Sequence, residues 1–149
     1  MNKLGKLLKT LLIIGTIVAI PLIAISPMLL NHTSKTLYSM FVIYPNGLFM
    51  VLIAVEFIKL FKSLEVGNPF TYENVKILKT TSIISLIMSI LWLIDLLFMI
   101  FIIGNTYVNY IIVLIFLTGL FLGVSIALYI LSELFNQATN YKQENDLTI

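Results

Sequence analysis

IISLIMSILWLIDLLFMIFII, residues 83–103, is the stretch that decides the fold, because 15 of its 21 residues are Leu, Ile or Phe. A helix needs about 20 mainly apolar residues to cross the hydrocarbon core of a bilayer. One ionisable residue, Asp95, interrupts the run. A central Asp costs about 2.5–3.5 kcal/mol on insertion scales, and each Leu, Ile or Phe offsets roughly 0.3–0.6 kcal/mol of it. The run therefore reads as a membrane-crossing helix despite Asp95.

Working outward, Tyr110–Leu131 supplies a second run, separated from the first by the turn-forming Gly104-Asn105-Thr106. Tyr107 and Tyr110 flank that turn at the level of an aromatic belt. Leu11–Leu30 forms a third run, behind Lys3, Lys6 and Lys9. It has the basic start of a signal peptide but is too long for a signal core, and Ala24-Ile25-Ser26 is followed by Pro27. It reads as a retained helix bent at Pro21. The fourth run, Tyr38–Phe61, contains Pro45-Asn46-Gly47 and admits two readings. Either the helix starts at Pro45 and runs to Leu64, leaving Ser34–Tyr44 as a short amphipathic surface helix, or it starts near Tyr38 and is broken within the membrane. The first reading is preferred because residues 45–64 suffice to span.

Composition agrees with this division. Of 149 residues 60% are apolar and 11% charged, with a mean hydropathy of +1.06. Soluble domains carry about a quarter charged residues, so lipid must cover this surface. The absence of cysteine excludes disulfides, thiolate metal sites, Cys nucleophiles and an acyl anchor on Cys. A single histidine, His32, argues against a His-based metal site. The positive charge is all lysine, with no arginine, which argues against direct nucleic-acid binding. No cofactor is expected. The Ile-, Asn- and Lys-rich composition points to a bacterial source.

Lysine positions orient the chain. Lys3, Lys6, Lys9, Lys59, Lys62, Lys76, Lys79 and Lys142 fall on one side of the four runs and Lys35 on the other. The positive-inside rule then places both termini and the central segment in the cytoplasm. The expected fold is all-α: an integral plasma-membrane four-helix bundle of two helical hairpins. Its crossings are about 11–30, 45–64, 83–103 and 110–131, with a cytoplasmic loop at 65–80 and a cytoplasmic tail at 132–149.

The loop contains Gly67-Asn68-Pro69-Phe70-Thr71-Tyr72-Glu73-Asn74, in which Gly67 and Pro69 turn the chain. Thr71 caps the next helix, and Glu73 meets the positive end of its dipole. In the tail Leu134, Ala138 and Tyr141 recur at helical spacing before the ending Glu144-Asn145-Asp146-Leu147-Thr148-Ile149. The plain reading is a capped turn with Phe70 anchored among headgroups, and a solvated helix end. The functional reading is a docking surface of Phe70, Tyr72, Tyr141 and the apolar C-terminal residues.

On Gly67, Pro69, Phe70 and Asn74, and on Glu144, Asp146, Leu147, Thr148 and Ile149, the sequence resembles the bacterial family catalogued as domain of unknown function 2975. That resemblance implies a four-helix membrane protein and supplies no catalytic residue. It also implies a regulatory partner, since such proteins are often encoded beside a small helix-turn-helix regulator.

Within the spans, Asp95 lies roughly 12 Å from the outer edge at Ile103. Thr118, equally far inside from Tyr110, is its expected partner, with Gly119-x-x-x-Gly123 letting the two backbones approach. Glu56 is either near mid-depth or near the surface with Lys59 at i+3, depending on where its helix starts. Asp95 and Glu56 could share a proton or bind a cation; the preferred reading is a neutral, hydrogen-bonded Asp95 and a snorkelling Glu56. Ser85, Ser89 and Ser125 can bond their own helix carbonyls. Trp92 reads as packing.

The expected function is non-enzymatic: a regulatory, sensing or protective accessory acting through the loop and the tail. The alternative is a homo-oligomeric small transporter or channel subunit that uses Asp95, Glu56 and Thr118.

Overall fold

A computed structural model of the chain describes residues 3–25, 42–65, 69–103 and 108–147, all helical apart from residues 69–71. Four α-helices follow one another: α1 (Lys3–Ile25), α2 (Tyr44–Glu65), α3 (Tyr72–Phe98) and α4 (Val108–Leu147). α3 runs on as a π-helical turn over Met99–Ile103. α1, α3 with its π turn, and α4 are long and apolar enough to cross a membrane. α2, expected as the second crossing, is not among them; its second half carries Glu56, Lys59, Lys62 and Glu65.

Pro45-Asn46-Gly47, read from sequence as turn chemistry, form the first turn of α2, preceded by a π-helical Val42-Ile43. Asn46 donates from Nδ2 to the Val42 carbonyl at 2.9 Å, so its amide serves the helix it interrupts. Gly47 is required by a close approach. A Cβ there would sit 2.8 Å from the Ile23 side chain, so a larger residue would force that side chain to shift. Lys9 Nζ meets Glu65 Oε2 at 2.9 Å at the other end of the same helix pair. Between these ties Leu8, Gly15, Ala19, Met50 and Ala54 help line an open apolar cavity of about 370 Å³, as small residues leave the helices apart. The Tyr38 start and the surface helix over residues 34–41 lie outside the described residues.

The helices pack in series, α1 on α2, α2 on α3, and α3 most extensively on α4. Ser82 meets Ser125, Ser89 meets Thr118 and Asp95 meets Tyr110, so α3 and α4 run antiparallel. Their shared face follows an alternating three- and four-residue spacing. On α3 it is Leu78, Thr81, Ser85, Met88, Trp92, Asp95 and Met99; on α4 it is Leu114, Thr118, Phe121, Ser125, Leu128, Ser132, Phe135 and Thr139. That is the heptad pattern of a coiled-coil seam, here with hydroxyl side chains between large apolar ones. Small and hydroxyl residues suit helix contacts in lipid, where hydrophobicity gives no preference for a neighbouring helix over an acyl chain. One apolar cluster (Leu60, Ile77, Leu78, Leu128) joins α2, α3 and α4, and another (Leu96, Met99, Leu114) closes the far end of α3 and α4.

Two expectations are corrected. Ser89 and Ser125 do not serve only their own helices. Ser82 Oγ donates to the Ser125 carbonyl and Ser125 Oγ donates to the Ser82 carbonyl, each at 2.9 Å, while Ser89 Oγ donates to the Thr118 carbonyl at 3.0 Å. Gly119 and Gly123 do not mediate the α3–α4 approach. A Cβ on either meets nothing within 4 Å, which places both on the outer surface of α4. Replacing Ser82 and Ser125 together by Ala is expected to weaken the helix pair by about 1–2 kcal/mol, because each hydrogen bond of this kind contributes roughly 0.6 kcal/mol and at most about 1.7. Gly123→Leu is expected not to weaken it. Reversible unfolding of the purified protein in mixed micelles measures both.

Candidate functional site

Residues 69–74 form a site that begins with a helix cap. Thr71 adopts extended backbone (φ −136°, ψ 148°), and its hydroxyl accepts from the Asn74 N–H at 3.3 Å. Glu73 sits in the first turn of α3, where its charge complements the helix dipole. Asn74 is 0% exposed and donates from Nδ2 to the Pro69 carbonyl at 2.7 Å, which folds the turn back onto the helix it precedes. Pro69 and Asn74 of the expected docking set are thus parts of one closed turn. Gly67 lies outside the described residues.

This turn is fastened to α4. The Phe70 and Phe135 rings stack at 5.4 Å with their planes tilted by 55°, a separation typical of favourable aromatic pairs. The Tyr72 hydroxyl donates to Asn140 Oδ1 at 2.7 Å, and Gln143 Oε1 lies 3.3 Å from the same hydroxyl. Thr139, 2% exposed, lies within the contact and bonds the Phe135 carbonyl. Phe70 remains 40% exposed, so it is shared between α4 and the surroundings and is not solely a headgroup anchor. Tyr141 is 67% exposed and stands on the outer side of the tail helix, clear of the turn. α4 reaches Leu147, and Ile149 lies outside the described residues.

Sequence reasoning missed Phe135, Asn140 and Gln143, the α4 side of this contact. Phe135 and Thr139 continue the three-and-four spacing of the α4 seam beyond the apolar run. That continuation was the signal that α3 and α4 stay paired outside the span.

The carboxylates Asp95 and Glu56 do not form a pair. Asp95, 5% exposed, faces the Tyr110 hydroxyl, whose oxygen lies 3.5 Å from Asp95 Oδ2. Thr118 donates instead to the Leu114 carbonyl of its own helix at 2.8 Å, and its level on α3 is that of Ser89. The expected Asp95–Thr118 partnership is therefore replaced by Asp95–Tyr110, because the hydroxyl–carbonyl bonds of the seam set the helix alignment. Glu56 pairs with Lys59 at 2.6 Å along α2. Leu60 packs beside Ile77 and Leu78, near the start of α3, so Glu56 lies roughly 20 Å along the helices from Asp95. A shared proton or cation between Asp95 and Glu56 has no support in this geometry. Among the described residues no three His, Asp or Glu side chains are grouped to hold a metal ion.

A family model described as "Protein of unknown function (DUF2975)" matches residues 10–149. No curated protein and no solved structure matches the chain. Asn74→Ala is expected to destabilise the protein by about 1–3 kcal/mol, since it strips a buried carbonyl of its partner, and Tyr72→Phe by about 0.5–1.5 kcal/mol. Thermal unfolding in detergent, followed by circular dichroism, ranks the two.

Proposed function

The chain belongs to the DUF2975 family, and we propose that it is a non-enzymatic membrane protein with a regulatory, sensing or protective accessory role, acting through a cytoplasmic surface built jointly from its α2–α3 connection and its C-terminal tail. One observation carries this reading: the α2–α3 connection, which holds one recognisable motif, is fastened by Phe70–Phe135 and Tyr72–Asn140 to the stretch of α4 that leads into the other. A change sensed in either segment is thereby felt in the other.

In this reading α2 crosses with α1, so that two hairpins span a bacterial plasma membrane with both termini inside. The lysine distribution supports that orientation. The exposed Tyr72, Glu73, Leu134 and Tyr141 present mixed apolar and polar chemistry suited to a soluble protein partner, a small helix-turn-helix regulator being the class that the family resemblance implies.

A second reading, a small transporter or channel subunit that works as a homo-oligomer, draws on Asp95 buried inside an apolar span. Intramembrane carboxylates commonly mark ion or proton paths. The pairing of Glu56 with Lys59 and its distance from Asp95 leave that path with one carboxylate per chain.

Photo-crosslinkers at Phe70 and Tyr141 in native membranes, with captured species identified by mass spectrometry, test the leading reading. Capture of a soluble regulator at both positions is the expected result. Capture of lipid or of further copies alone, together with proton or cation flux in proteoliposomes that Asp95→Asn abolishes, would replace it with the transport reading.

A further inference from the structure

The contacts between α3 and α4 fall into two groups of different character. Inside the apolar span the helices are joined by hydroxyl–carbonyl bonds and by buried residues from Leu78 to Met99. Beyond Glu133 the tail carries Asn136, Gln137, Asn140, Lys142, Gln143 and Glu144, the composition of a water-facing segment. There residues 69–74 add support through the Phe70–Phe135 rings and the Tyr72 hydroxyl, beside the packing of Phe135 against the Leu60, Ile77, Leu78 and Leu128 cluster. A helix end of this length is marginal in water on its own, and asparagine is a poor helix former. Beyond Phe135, the tail is tied to the turn at residues 69–74 through Asn140 and Gln143.

We infer that residues 69–74 act as a releasable latch on the α4 extension. Closed, the latch lies against the stretch of α4 from Phe135 to Gln143, which includes the buried Thr139, and holds it as a continuation of α4. Open, it frees the tail beyond Phe135 and uncovers the Phe70 ring and the face of Phe135 that meets it, while the seam between Ser82 and Ser125 stays intact. A single phenol proton on Tyr72 is shared between two acceptors one helical turn apart, Asn140 and Gln143, so loss of one hydroxyl removes the polar half of the latch. The inference deepens the proposed function only in saying how the joint surface changes state. Its test reads opening directly, with no partner present, so it can fail while the partner is still captured, and the reverse.

The chain has no cysteine, so each introduced thiol reports alone. Thr139→Cys, Tyr141→Cys and Leu128→Cys are labelled with a maleimide in the full-length protein purified in detergent. They report on the latch, on open surface and on the membrane seam. Thr139→Cys is expected to react about tenfold more slowly than Tyr141→Cys, as for a site that must open locally before it reacts. In a Phe70→Ala, Tyr72→Phe background its rate should rise to within about twofold of Tyr141→Cys, with Leu128→Cys still protected. Equal rates at Thr139 and Tyr141 in the otherwise unchanged chain would show that no latch is closed. An unchanged Thr139 rate in the loosened background would show that other contacts hold the tail. Exposure of Leu128 along with Thr139 would show that tail and seam open as one unit. Each of these three results overturns the inference.

Discussion

Two serines that exchange hydrogen bonds with each other's backbone, Ser82 and Ser125, fix the alignment on which the rest of this molecule depends. In hydrocarbon no solvent competes for a polar group, so a hydroxyl is satisfied within the protein or left at a cost. Most helical hydroxyls fold back on their own carbonyls, as Thr81, Thr118 and Thr139 do here. Ser82, Ser89 and Ser125 instead reach across, and each such bond specifies both which residue faces which and how closely the helices lie. Once Ser82 faces Ser125, Asp95 falls beside Tyr110 and the start of α3 falls beside the end of α4. The Asp95–Tyr110 contact and the tail contact are two consequences of one register.

That register also explains why the turn at residues 69–74 lies against the C-terminal part of α4. Taken singly, Pro69-Phe70 and Asn74 make a capped turn, and the C-terminal segment makes a polar helix end. Alignment of α3 with α4 brings Phe135 under Phe70 and Asn140 under Tyr72. Asn74 then has a positional role, since its amide closes the turn that holds Phe70 in place. The site is thus built by the helix register that Ser82 and Ser125 set one to two dozen residues away along α3 and α4.

Helix identity was legible in the sequence and helix alignment was not, for a physical reason. Apolar runs report how long a segment can stay in lipid, which is why the runs at 83–103 and 110–131 fall within α3 with its π turn and within α4. They carry no information on rotation or on sliding. Counting inward from Ile103 and Tyr110 matched Asp95 with Thr118, yet the hydroxyl bonds shift the pairing so that Thr118 meets Ser89. Gly119 and Gly123 were read as a contact because small residues permit close approach, but permission does not name a neighbour. The informative pattern was the alternation of large and hydroxyl residues from Leu114 to Thr139, hidden from hydropathy because it counts Ser and Thr as polar interruptions. Of the two readings of Pro45-Asn46-Gly47, the preferred helix start at Pro45 lies within one residue of the first residue of α2, where proline lacks nothing the helix needs.

α4 is continuous from Val108 to Leu147, 40 residues in all, which makes it roughly 60 Å long against a hydrocarbon core of about 30 Å. Such a rod is a lever with its fulcrum in the bilayer. Membrane helices answer changes in bilayer thickness by tilting, and a tilt change of roughly 10° would sweep the end of the projecting arm sideways by about 4 Å. That displacement is comparable with the reach of a hydrogen bond or of an aromatic contact. In a bilayer the same tilt would carry Asn140 and Gln143, the two residues that face the Tyr72 hydroxyl, over a shorter path of about 2–3 Å.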